Sequence, residues 1–151
     1  QEEAMSITDE IVLLKKGVIQ QQCAPQEMYL NPKNRFVASF LGNPPIDFFH
    51  MPIRDGKLFL SEQYSISVKT EVQGEAYVGI RPEAWGVGKD LYVTAETVEQ
   101  RFHLAGVKTR AILNVTDKVS AGDQVGLTLK NNLLYLFDEE SGMRIPAEVS
   151  L

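Results

Sequence analysis

A mainly β fold, a small barrel or sandwich preceded by a short α/β stretch, is what the sequence predicts. Three observations predict it. Beyond Pro45 apolar residues recur with a period of two, as in Phe49, Met51 and Ile53. Turn signals separate those runs, at Asp55-Gly56, Ala121-Gly122-Asp123 and Asn131-Asn132. Helical spacing is confined to the stretch before Gly42.

The totals suit that fold. A chain of 151 residues has a one-domain length and can bury a sizeable core. Its composition, 44% hydrophobic and 23% charged, is that of a globular protein, and a net charge of −5 argues against a phosphate backbone as the main partner. No apolar run approaches the roughly 18 residues of a membrane helix, and no signal peptide is visible. The single cysteine, Cys23, excludes an internal disulfide and fits a reducing compartment. The chain starts at Gln1 without an initiator methionine and runs straight into patterned sequence, so it is expected to be a piece of something longer.

Taken in order, residues 1–6 read as the tail of a short helix. Ile11-Val12-Leu13-Leu14 is a continuous apolar run, the pattern of a strand covered on both faces. Lys16-Gly17 turns it into a return strand over 18–22. Pro25 suits the first turn of a helix to Leu30, which Ala24 caps poorly and Asn31-Pro32 ends. Asn34 can cap the next helix, whose Phe36, Val37, Phe40 and Leu41 form one stripe. Gly42 stops it, and Asn43-Pro44-Pro45 is a stiff linker.

The alternating strands follow. Phe49, Met51 and Ile53 face one way, with Pro52 limiting that strand to an edge or a bulge. Residues 57–60 return, 66–68 form a short strand, and 76–81 form the middle one. Gly86 to Asp90 reads as a loop, 91–98 as a strand, and 107–115 as another with Val107, Thr109, Ala111 and Leu113 on one face. Residues 124–129, 133–137 and 143–149 complete the set.

The middle strand ends in Tyr77-Val78-Gly79-Ile80-Arg81-Pro82-Glu83. Val78 and Ile80 share a face, Gly79 leaves room on the other, and Pro82 breaks the ladder because it has no N–H to donate. On residue chemistry alone, Arg81 and Glu83 read as a strand end with a solvated ion pair. Gly79-Ile80-Arg81-Pro82-Glu83 also resembles a signature in the C-terminal regulatory domain of ABC-importer ATPase subunits, in the branch serving maltose-type sugars and glycerol phosphate. Glu3-Ala4-Met5, Ile11 to Gly17, Pro25 to Tyr29, Asn31-Pro32 and Arg35 to Gly42 are similar to the family's segment after its switch histidine, which here would precede Gln1. Asn43-Pro44-Pro45-Ile46-Asp47-Phe48 resembles the linker into the regulatory domain. Gly122-Asp123-Gln124-Val125, Leu136-Phe137-Asp138 and Ser141-Gly142 resemble its closing strands. The departure lies between Val98 and Ala121, where Glu99 to Leu104 replaces a Glu-x-Leu-Gly turn.

The resemblance implies a division into residues 1–42, a remnant of the ATPase domain, a linker at 43–45, and an OB-like transport-associated domain at 46–151. It implies that Gly79, Ile80, Arg81, Pro82 and Glu83 are structural and interface residues rather than a catalytic pair and its neighbours. Phe36, Phe40, Gly42, Pro44 and Pro45 would form the docking helix and linker. ATP and magnesium would belong to the intact parent protein and not to this chain. The partners implied are a second copy, permease subunits reached through the ATPase domain, and a regulatory protein of a phosphotransferase system. The place implied is the cytoplasmic face of the membrane. The apolar run at 11–14 and the stripe at 36–41 need cover, so a homodimer packed through residues before Pro44 is expected.

Other chemistry finds little support in the residues. Gly86-Val87-Gly88-Lys89 lacks the phosphate-loop frame, since Glu83 stands where the first glycine belongs and Asp90 where Ser or Thr would hold magnesium. His50, His103 and Cys23 are isolated, without metal-ligand spacing, and Cys23 has no basic neighbour to activate it. Asp138-Glu139-Glu140 reads as a solvated corner. The alternative is a free-standing OB-type module binding a ligand or single-stranded nucleic acid. Tyr64, Tyr77, Tyr92 and Phe102 would then be its stacking rings, and Arg101, Lys108, Arg110 and Lys118 its basic zone.

Overall fold

The computed structural model describes residues 9–96, 101–113 and 119–151. The helix tail expected at 1–6 lies outside them, as do Val98, Val115 and Lys118. The described residues are mainly β, as the alternation predicts.

The N-terminal piece is a hairpin with two short helices on one side. Strands β1 (Ile11–Lys15) and β2 (Val18–Cys23) are joined by Lys16 and Gly17, both in the left-handed region. That two-residue turn matches the right-handed twist of the strands it joins. Helix α1 (Pro25–Leu30) starts on proline without a side-chain cap, as expected of Ala24. Helix α2 (Arg35–Phe40) is capped by Asn34, whose side chain accepts from the Val37 N–H at 2.9 Å.

Leu13, Met28, Val37 and Leu41 make a small core between hairpin and helices. Two sequence expectations change here. The run at 11–14 is covered on one face only: Val12 and Leu14 are 46% and 54% exposed, beside exposed Val18 and Ile19. Two six-residue helices can shield only one side of a hairpin. Phe40 leaves the expected stripe and is 48% exposed, because α2 turns Ala38 toward Ile46, Tyr135 and Phe137 instead.

A seven-stranded antiparallel sheet carries most of the rest. Its members are β3 (Asp47–Arg54), β4 (Lys57–Phe59), β5 (Ser65–Thr70), β6 (Gly74–Ile80), β11 (Leu134–Phe137), β12 (Arg144–Ile145) and β13 (Ala147–Ser150). They lie in the order β12-β11-β6-β3-β4-β5-β13. The strand expected at 143–149 is therefore two, parted by Pro146, which has no N–H for the ladder. Those two strands lie at opposite edges, so the sheet curls until its ends meet at Pro146, although no ladder closes it into a barrel. Pro52 is tolerated within β3 because β4 pairs only with Ile53 and Arg54, leaving the earlier part of β3 an edge on that side.

The interior is filled from alternating positions: Phe49, Met51 and Ile53 of β3, Val78 and Ile80 of β6, and Leu136 of β11. Strands β7 (Trp85–Thr94) and β10 (Gln124–Leu129) pair over this core, and β8 (Arg101–Leu104) and β9 (Val107–Arg110) form a hairpin turned by Ala105-Gly106. Trp85 is fully buried, edge-on to Phe102 at 5.8 Å.

The stretch at 86–90 is part of β7 and not the loop its glycines suggest. Its ladder shifts register, with Val87 opposite Leu127 and Tyr92 opposite Gly126. The glycines serve a close crossing of two backbones: a Cβ on Gly126 would stand 2.1 Å from the Gly88 carbonyl oxygen. The expected result of Gly126→Ala is a loss of about 1–3 kcal/mol, read as a lower urea midpoint with unchanged slope. An unchanged midpoint would mean that the crossing is not tight.

Candidate functional site

The corner after β6 gathers the residues that the sequence singles out. Val78 and Ile80 point into the core, and Gly79 opens the opposite face. A Cβ on Gly79 would meet the Ile46 Cδ1 at 2.9 Å and the rings of Phe48 and Phe137 at 3.1 Å, so only glycine admits this trio. The Arg81 N–H donates to the Leu133 carbonyl at 3.0 Å, and Pro82 then starts a single 3-10 turn, Pro82–Ala84. Asn131 fixes that turn by donating to the Glu83 carbonyl at 3.2 Å.

Arg81 is not solvated. Its side chain is 1% exposed and reaches into the N-terminal piece. Nη1 donates to the Leu41 carbonyl at 2.8 Å and to the Ala38 carbonyl at 3.4 Å; Nη2 donates to the Tyr29 carbonyl at 2.9 Å. These carbonyls belong to the last turns of α1 and α2, where helix oxygens lack intrahelical donors and carry partial negative charge. One guanidinium thus closes two helix ends. Gly42 gives it room: this residue has φ +116°, and a Cβ there would press Nη1 at 3.2 Å.

Arg81 and Glu83 meet through Tyr29 rather than as the expected ion pair. The Tyr29 ring lies under the guanidinium at 3.9 Å, and its hydroxyl donates to Glu83 Oε1 at 2.6 Å. The column continues outward. The Tyr135 ring is 5.9 Å from the Arg81 guanidinium and 4.6 Å from that of Arg144. Burial pushes the Tyr29 hydroxyl well above its usual range, and its hydrogen bond to Glu83 adds to the effect. Burial also raises Tyr135, while Arg144 is lowered by the same cause.

Of the other residues singled out, Gly42 joins this corner, while Phe36 lies under the Lys15 ammonium at 4.9 Å. Pro44 and Pro45 line a separate cleft of about 260 Å3 with Asp47, which accepts a 2.6 Å hydrogen bond from Thr109. Tyr29, Tyr135 and Arg144 were not legible as site residues, because nothing in their spacing brings them together. The rings of the nucleic-acid alternative are scattered. Phe102 is buried, the Tyr64 hydroxyl accepts from the Leu129 N–H, and Tyr77 stacks on Phe48. Lys108 pairs with Glu96 at 3.0 Å. Residues 138–140 are an exposed corner, with Glu139 paired to His50 at 3.2 Å. Among the described residues no group of His, Cys, Asp and Glu is placed to hold a metal, and no helix is long and apolar enough to cross a membrane.

No protein-family model matches the chain. Individual relatives do. The chain is 34% identical to a Brucella abortus protein named as ATP-binding, across 93% of this chain and 44% of that one. It is 34% identical to the sn-glycerol-3-phosphate import ATP-binding protein of Vibrio vulnificus, across 97% and 44%. It is 30% identical to an ABC transporter ATP-binding protein homologue of Mycoplasma pneumoniae, across 96% and 27%. The chain therefore spans less than half the length of these relatives, although they cover nearly all of it.

Burial of the Tyr29 hydroxyl, with its hydrogen bond to Glu83, makes stability depend on alkaline pH. The folded protein keeps the Tyr29 proton at pH values where the unfolded chain, titrating near 10.0, has released it. Its contribution is whole below about pH 10 and is lost as pH climbs toward the raised value. Tyr29→Phe should cost about 1 kcal/mol at neutral pH and flatten the fall in stability above pH 10, measured by urea unfolding across that range. Equal alkaline slopes in both proteins would show that Tyr29 ionises freely.

Proposed function

We propose that this chain is the C-terminal part of the ATP-hydrolysing subunit of an ABC importer for sugars or glycerol phosphate. In this reading residues 46–151 are its OB-type transport-associated regulatory domain, 43–45 the linker, and 1–42 the last piece of the ATPase domain. The relatives' names support the family. The observation that carries the regulatory role is the Arg81 side chain, which grips the ends of α1 and α2 from the corner of the β domain. A displacement of the ATPase-like piece would pull directly on β6 and the turn after it.

The segment itself is non-catalytic in this reading. Gly86 to Lys89 does not fit a phosphate: it is strand, paired to β10, and the space a Gly88 side chain would take is filled by Thr128 at 2.6 Å. Nucleotide and magnesium would be held by the preceding domain. Arg81 and Glu83 act as structural residues, with Tyr29 between them.

The partners follow from the same reading. They are a second copy of the chain, permease subunits at the cytoplasmic face of the membrane through the ATPase domain, and a regulatory protein of a phosphotransferase system. The exposed Val12, Leu14 and Ile19 form an apolar face on the hairpin that a second copy can cover. Leu14 and Ile19 stand directly opposite each other in the ladder, so one double substitution tests the face. Sedimentation should show a dimer of the parent chain and a monomer of Leu14→Lys with Ile19→Lys. A parent chain that sediments as a monomer at all concentrations would contradict pairing through this segment.

A further inference from the structure

The seam between the N-terminal piece and the sheet edges opens into a cleft of about 930 Å3. One wall is Asn31-Pro32-Lys33, between α1 and α2. The other is Lys69 to Glu71 after β5, together with β12, Pro146 and the start of β13. Its walls are tied together by two backbone hydrogen bonds and one from a side chain. The Arg144 N–H donates to the Lys33 carbonyl at 2.9 Å, the Arg35 N–H to Gly142 at 2.7 Å, and the Thr70 hydroxyl to the Pro146 carbonyl at 3.0 Å.

Arg144 is the unexplained group. It is half-buried, its guanidinium lies over the Tyr135 ring at 4.6 Å, and among the described residues no carboxylate pairs with it. The ring covers one face of the guanidinium, its N–H edges remain donors, and an anion would restore the solvation that half-burial removes. Lys33 adds a second cation on the opposite wall. Glu71 and Glu148 also line the cleft, but Glu148 stands across the ladder from Lys69 and so neighbours that lysine. Met143, 51% exposed, and Pro146 supply an apolar floor.

We propose that this cleft binds a small organic oxyanion, whose head group is held by Arg144 and Lys33 and whose body rests on Met143 and Pro146. A guanidinium already stacked on an aromatic ring is preorganised for a two-point grip on such a head group. The occupant would bridge the N-terminal piece and the sheet. It would also sit at the outer end of the column that runs through Tyr135 to Arg81. The inference stands on the cleft alone and does not depend on the importer reading.

The test is a heteronuclear NMR titration of the whole chain with inorganic phosphate and, separately, with malonate, each against chloride at matched ionic strength. Saturable shifts confined to the amides of residues 31–33, 69–71 and 143–148 are expected from at least one probe. A response to phosphate alone identifies a phosphate head group, and a response to malonate alone a carboxylate. Arg144→Gln should weaken that binding roughly tenfold or more, and Lys33→Gln, at an exposed position that does not endanger folding, by several-fold. Shifts no larger than those from chloride, or binding left intact by Lys33→Gln and by a folded Arg144→Gln, would overturn the proposal.

Discussion

A buried guanidinium has to be satisfied where it lies, and the arrangement around Arg81 follows from that constraint. Removing such a charge from water costs several kcal/mol unless acceptors replace the solvent. Here the acceptors are main-chain carbonyls from the ends of two helices, with the Tyr29 ring beneath. The helices gain as well, since these oxygens would otherwise lack donors. Among the described residues Arg81 Nε and Glu83 Oε2 are buried and find no hydrogen-bond partner, which makes the corner dependent on the contacts it does have.

Much of the local sequence serves this one contact. Gly79 admits Ile46, Phe48 and Phe137 against the outer face of β6, and so brings the junction close. Pro82 ends the strand, and Asn131 pins the turn after it. Gly42 leaves space for the guanidinium where α2 stops. Ala38, facing Tyr135 and Phe137, lets the helix approach the sheet, and this is why Phe40 is turned outward. Among the described residues the N-terminal piece has a core of four buried side chains, so it relies on the junction for a large part of its order.

The alternating strands were legible, because a half-buried sheet writes its two faces into residues such as Phe49, Met51 and Ile53. Asp55-Gly56 was legible as a turn for its chemistry; Ala105-Gly106 was not, since alanine carries no preference for the left-handed conformation it adopts. The glycines at 86 and 88 misled because their reason is β10, which lies far away in sequence. The corner at 79–83 could be located from its pattern, but its charge could not be placed. The acceptors of Arg81 stand 40 to 52 positions upstream and are backbone atoms, which no residue type reveals.

Arg81 holds the N-terminal helices to the sheet, and native-state amide exchange in Arg81→Met measures that hold. Methionine keeps an apolar stem but donates nothing to Tyr29, Ala38 or Leu41. Exchange should become faster by roughly tenfold or more at the amides of residues 25–41, with the amides of β3 and β6 nearly unchanged. Protection retained at 25–41, or lost equally throughout the sheet, would contradict it.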